Sequence, residues 1–203
     1  MSHARTDVGP HIHSLIAERW SPRAFRDRAV EPQKIRTCLE AARWAPSCFN
    51  EQPWTVIVGV CGQGDAHARL ADCLVTQNQR WALAAPVLML TVAKPAFDMD
   101  GRANRHAQHD VGLATMNLML QAHALGLVAH AMAGFKSKKA REAFGIPADH
   151  EPMTAIALGY PGDPNALPDD LAEKEAAPRN RRPLAEWVFD EAWSRPATVV
   201  ATA

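Results

Sequence analysis

The chain has 203 residues, 47% hydrophobic and 22% charged, a balance that supplies a real core and excludes a disordered segment. Lys plus Arg number 22 and Asp plus Glu number 22, and this zero net charge argues against a nucleic-acid binder, whose affinity rests on a basic surplus. The length fits one domain, expected over 1–160, with residues 161–203 as an extended arm belonging to it. Cys38, Cys48, Cys61 and Cys73 form no CxxC pair, so free thiols in a reducing cytoplasm are the expectation. Residues 1–20 lack the apolar run of a signal peptide.

In chain order, a first helix is expected over 8–19. A second follows over 32–44, with Pro32 in its first turn and Ile35, Cys38, Leu39 and Ala42 at helical spacing. The β-branched run 54–60 reads as a strand, 66–74 as a helix with a short turn up to 83, and 86–93 as a buried strand. Residues 94–105 form a polar surface excursion or lid, and a long helix then runs over about 104–125. A third strand is expected over 127–132, a short helix over 136–144 and a fourth strand over 153–160. No residue between 111 and 135 is charged, enough to span a bilayer. Asn117, Gln121, His123 and His130 interrupt that stretch, so a buried helix and strand are expected in place of a membrane span. Pro161, Pro164, Pro168, Pro178 and Pro183 punctuate 161–183, and Trp187, Phe189 and Trp193 after it suggest an arm docked on a second subunit. Helices and strands mix without strict βαβ alternation, so the fold class is α+β.

Three clusters carry candidate chemistry. In Arg19-Trp20-Ser21-Pro22-Arg23, Pro22 favours extended backbone, so Arg19, Ser21 and Arg23 share one face. Two guanidinium groups and a hydroxyl suit a phosphate, although the spacing alone favours a solvated turn after a helix with exposed arginines. Arg179 and Arg181 repeat the geometry beside Pro183. The loop 45–53 holds Pro46, Ser47, Cys48, Asn50 and Gln52, which can either read a planar hydrogen-bonding ring or cap their own turn. His106, His109 and Asp110 are metal-like in type, but the favoured reading is a polar helix start with a solvated face, and no zinc pattern is present. His67 stands where a GxGxxG pattern after Val60 needs glycine, and P-loop, GxSxG and HExxH motifs are absent.

Taken together, ERWSPRAF (18–25), LEAARWAPSCFNEQPWTVIV (39–58), NQRWALAAPVLMLTVA (78–93), NLMLQAHALGL (117–127), GF (134–135), ALGYPGD (157–163) and RNRRPLAEWVF (179–189) resemble the nitroreductase family of flavoproteins. The resemblance implies a three-layer α/β/α fold with a mostly antiparallel central sheet, an intertwined homodimer, and FMN at the subunit interface. By position, Arg19, Ser21 and Arg23 would take the phosphate with Trp20 beside them, and Arg179 and Arg181 would complete the phosphate and ribityl contacts. Pro46, Ser47, Cys48 and Asn50 of the partner would border the ring. Asn78 would bond the pyrimidine edge or ribityl chain, and Met132, Ala133 and Gly134 would lie near N5. The implied activity passes a hydride from NADH or NADPH through FMN to a nitroaromatic, quinone or other small electron-poor acceptor, by ping-pong kinetics and with no side-chain acid or base. Another flavin enzyme on the scaffold (dehydrogenase, dehalogenase or flavin-fragmenting) or a flavin binder without turnover are the alternatives. Two positions depart from the family pattern. Trp81 stands where some members carry a lysine near N1, which means that Arg80 or another arginine takes that role or that the flavin potential differs, and Ala133 stands where some carry glutamate.

Overall fold

The computed structural model describes residues 12–200, which fall into two compact units, 12–175 and 176–200. In the larger unit, strands β1 (Trp54–Val60), β2 (Val87–Ala93), β3 (Val128–Met132) and β4 (Glu151–Gly159) form one sheet of order β1-β2-β4-β3. All three pairings are antiparallel, with Ile57 opposite Leu90, Leu90 opposite Ala155, and His130 opposite Ala157. Around the sheet run α1 (Ser14–Glu18), α2 (Pro32–Arg43), α3 (Ala66–Cys73), α4 (Thr76–Ala82), α5 (Ala107–Ala124), α6 (Ser137–Phe144) and α7 (Asp169–Ala176).

Period-two alternation splits the core in two. Val87 and Met89 of β2, with Ile156 and Leu158 of β4, pack under Leu118 and Ala122 of α5, and Ile35, Cys38 and Ala42 of α2 join them. Leu88, Leu90 and Val92, with Ala155 and Ala157, face the other way onto Leu70 of α3, Trp81 of α4 and Ala140 of α6. Helices therefore cover both faces, and this is why β2 reads as an unbroken apolar run instead of an alternation. The uncharged stretch 111–135 resolves into most of α5, a turn and β3. Among the described residues no helix is long and apolar enough to cross a membrane.

Two expectations differ from the structure. The first helix begins at Ser14 within the described residues, where His13 caps it by accepting from the Leu15 N–H at 3.2 Å; residues 8–11 of the expected helix lie outside the described range. The proline-rich stretch 161–183, expected to be extended, contains α7. Asp169 and Asp170 suit the positive end of that helix, and Leu171 and Glu175, four apart, are both buried. The spacing of the prolines masked this amphipathic turn.

The smaller unit is built on a bridge between Phe189 and Pro196. Ala197 N–H donates to Val188 O at 2.9 Å, and the rings of Phe189 and Trp193 meet edge to face at 5.5 Å. Trp193 is nevertheless 89% exposed.

Candidate functional site

Arg19 ends α1 with extended backbone, φ −60° and ψ 128°. Its Nη1 donates to Ser21 Oγ at 3.2 Å, so guanidinium and hydroxyl stand together as the spacing predicts. The residues that follow are fixed from two sides. On one side, His130 of β3 contacts the Pro22 carbonyl through Nδ1 at 3.0 Å, an arrangement in which Nδ1 carries the proton. Burial pushes the His130 pKa down to about 4, the Arg23 and Arg19 charges add to the depression, and bonds to the Pro22 and Ser21 carbonyls oppose it. The imidazole is thus neutral at pH 7. On the other side, the Glu175 carboxylate accepts from Arg23 N at 2.8 and 3.0 Å and from Ala24 N at 3.2 Å, and lies 3.6 Å from the Arg23 guanidinium. Phe25 bridges to Pro161, and a Cβ on Gly162 would stand 2.6 Å from the Phe25 backbone, so only glycine permits this approach.

A second group of nominated residues meets the same place. Asn78 Nδ2 donates to Gly134 O at 2.9 Å, and a Cβ on Gly134 would fall 2.6 Å from that nitrogen. Trp81, one helical turn on, lies 4.5 Å from the His130 ring and stacks on Phe25 at 6.3 Å. The start of α4, the end of β3 and the 19–25 segment are thereby tied together. Met132 is buried among the α3 and α6 side chains, while Ala133 is exposed and Gly134 half-buried. Trp81 is a core residue at 5% exposure, which accounts for an indole where a surface lysine would stand. Arg80, which the sequence offered as a replacement cation, is held in a two-point ion pair by Asp170 at 2.8 and 2.6 Å.

The loop 45–53 is anchored elsewhere, on the first turn of α5 and on the 94–105 excursion. Cys48 N–H donates to Asp110 Oδ2 at 2.9 Å, Gln52 N–H to Ser47 Oγ at 3.0 Å, and Asp98 N–H to Glu51 Oε1 at 2.5 Å. Phe49, Asn50 and Gln52 have φ of 52°, 57° and 52°, a left-handed backbone that costs L-residues free energy. Phe49 is 87% exposed and meets Phe97 edge to face at 5.9 Å. Pro46 and Asn50 are exposed, and Ser47 and Cys48 half-buried. Asp110, grouped by sequence with His106 and His109, is buried: its Oδ1 meets His109 Nδ1 at 3.0 Å, and its other oxygen serves the loop. Among the described residues no three His, Cys, Asp or Glu side chains stand together as a metal site. Arg179 and Arg181 belong to the smaller unit, where Arg181 Nη1 donates to Asn180 O at 2.8 Å.

Sequence reasoning missed Glu175 and the positioning roles of His130 and Asp110. A signal existed for two of them: Glu175 is four residues from an apolar Leu171, and Asp110 is the lone charge in an otherwise uncharged helix.

The three-layer α+β class is shared with solved flavoprotein structures. An oxidoreductase containing FMN matches with a TM-score of 0.88 at 32% identity, covering 96% of this chain and 98% of that one. A "putative nitroreductase in complex with fmn" from Desulfovibrio desulfuricans matches with a TM-score of 0.68 at 29% identity, covering 89% of this chain and 96% of that one. The model of the nitroreductase family matches residues 16–80 and 66–160, and the chain belongs to the nitroreductase family. Among curated relatives, a "Putative NADH dehydrogenase/NAD(P)H nitroreductase" from Xanthomonas oryzae is 30% identical over 175 residues, 77% of this chain and 87% of that protein. An iodotyrosine deiodinase from Haliscomenobacter hydrossis is 26% identical over 190 residues, 81% of this chain and 85% of that protein.

Proposed function

We propose that this chain is an FMN-dependent oxidoreductase that uses NADH or NADPH to reduce a small electron-poor acceptor such as a nitroaromatic or quinone. The observation that carries the reading is the Arg19–Ser21 donor pair with Arg23 close behind on a segment fixed by His130 and Glu175. Two guanidinium groups and a hydroxyl are the donor set a phosphate dianion requires. A bound FMN would supply the hydride chemistry that links the nicotinamide donor to the acceptor.

In this reading Arg19, Ser21 and Arg23 hold the phosphate with the Trp20 backbone beside them, and Arg179 and Arg181 are further phosphate and ribityl ligands. Asn78 uses its amide oxygen toward the cofactor, since its Nδ2 is given to Gly134. Met132 acts through its backbone, its side chain being buried, together with Ala133 and Gly134. The 45–53 loop, with Pro46, Ser47, Cys48 and Asn50, comes from the second copy of a homodimer. Its separate anchoring on α5 and its exposed Phe49 support that assignment. The four free thiols fit a cytoplasmic setting.

The test is spectroscopic. Purified protein is yellow, and NADH or NADPH bleaches the flavin band; a chain that stays colourless after incubation with FMN overturns the reading. Replacing both Arg19 and Arg23 by Ala raises the FMN dissociation constant about 10- to 100-fold, the loss of charge-assisted bonds, and unchanged affinity removes the phosphate role. The deiodinase relative supports a second reading, reductive dehalogenation of an aromatic substrate on the same scaffold. A panel of quinones, nitroaromatics and halogenated phenols under NAD(P)H separates the two.

A further inference from the structure

Four polar or charged side chains are buried among the described residues: Thr91, Asn104, Asp110 and Glu175. Two of these are carboxylates, and each lies beneath one of the two loops nominated for the cofactor. We propose that Asp110 and Glu175 are the positioning residues of the site, holding the ring-side loop and the phosphate-side loop respectively by their backbone N–H groups. The proposal rests on the FMN reading given above.

An ionised carboxylate taken out of water is costly unless its oxygens are hydrogen-bonded. Here site-loop amides meet that need together with His109 Nδ1, which lies 3.0 Å from the other Asp110 oxygen. Asp110 accepts from Cys48 N at 2.9 Å, 62 residues away, and Glu175 accepts from Arg23 N and Ala24 N, 152 and 151 residues away. Both loops call for such anchors. The 45–53 loop carries three left-handed residues, a conformation that persists only where surrounding contacts over-determine it. The 22–24 segment must present Arg23 while packing against Gly162, and Gly162 N–H closes it by donating to Ala24 O at 2.9 Å. A carboxylate only accepts, so it fixes which way the loop amides point. Glu175 does a second thing: at 3.6 Å it balances the Arg23 charge.

The two residues act at opposite ends of the cofactor, so a truncated ligand distinguishes them. FMN and riboflavin, which share ring and ribityl chain and differ by the phosphate, are titrated by fluorescence into wild type, Glu175→Ala, Glu175→Gln, Asp110→Ala and Asp110→Asn. Circular dichroism of the cofactor-free proteins checks folding. Glu175→Ala weakens FMN at least tenfold and riboflavin less than twofold. Asp110→Ala weakens both at least tenfold and shifts the visible band of the bound flavin. Asp110→Asn, which keeps an acceptor for Cys48 N–H, retains affinity within about threefold. Glu175→Gln keeps the loop anchor and frees Arg23 of its counter-charge, so its preference for FMN over riboflavin rises. Equal loss of both ligands in Glu175→Ala, or unchanged affinity and spectrum in Asp110→Ala, overturns the proposal. If the alanine variants fail to fold, the amide variants decide: loss of affinity in Asp110→Asn, or a fall in FMN preference in Glu175→Gln, overturns it equally. Wild type that binds neither ligand sinks the FMN reading instead, a separate outcome.

Discussion

His130 makes a pH prediction with a definite sign. Its folded pKa of about 4 lies below the ordinary 6.5, so between those values the unfolded chain binds a proton that the folded chain refuses. Stability therefore falls as pH drops from about 6.5 toward 4, by up to roughly tenfold in the unfolding constant per pH unit. Urea unfolding at intervals across that window shows the slope, and His130→Gln flattens it; an unaltered slope in the variant removes His130 from the explanation. Trp81 yields the second residue-scale prediction. Installing the lysine that some family members carry places an ammonium among Leu88, Leu90 and Ala157 and deletes the stacking on Phe25. Trp81→Lys is expected to lose about 3–5 kcal/mol of unfolding free energy, from the size of large-to-small core changes alone. A loss under 1 kcal/mol means that the side chain reaches solvent.

At the scale of elements, β1 was legible to the residue because Pro53 and Gly62 bracket a β-branched run, and α2 because Pro32 opens it and its apolar positions recur at helical spacing. The α5–turn–β3 passage was legible as buried, since an uncharged stretch interrupted by amides and histidines suits a protein interior better than lipid. What stayed illegible was long-range. Nothing near Arg23 in sequence announces Glu175, and the proline spacing hid α7 altogether. The candidate loops were visible as residue types in local patterns, whereas their anchors exist only once strands and helices have closed distances of 62 to 152 residues. The sheet itself makes the next prediction. Leu158, fully buried between β4 and α5, contributes to the first core, and Leu158→Ala costs about 2–5 kcal/mol, read from the urea midpoint at constant slope. An effect below 1 kcal/mol contradicts the two-sided packing.

For the whole molecule, zero net charge coexists with large exposed apolar groups. Trp44, Phe49, Met99 and Trp193 are each more than 70% exposed, on a chain whose family resemblance implies an intertwined pair. Native mass measurement is expected to give twice the 22.2 kDa chain mass, unchanged on dilution to low micromolar protein. A monomer at those concentrations removes the shared-site arrangement, because the 45–53 loop then has no second copy to serve.

The sheet order has a consequence for how the chain is made. Strand β2 is buried on both faces and pairs with β1, which precedes it across α3 and α4, and with β4, which begins only at Glu151. While the ribosome is still producing 94–150, the antiparallel β1–β2 pair leaves β2, seven apolar or β-branched residues, with the edge of unpaired amides that β4 will later take. Such an edge templates association with other chains until its proper neighbour arrives. Nascent chains stalled before Glu151 should therefore bind a holdase chaperone, and release should coincide with emergence of 151–159 from the exit tunnel.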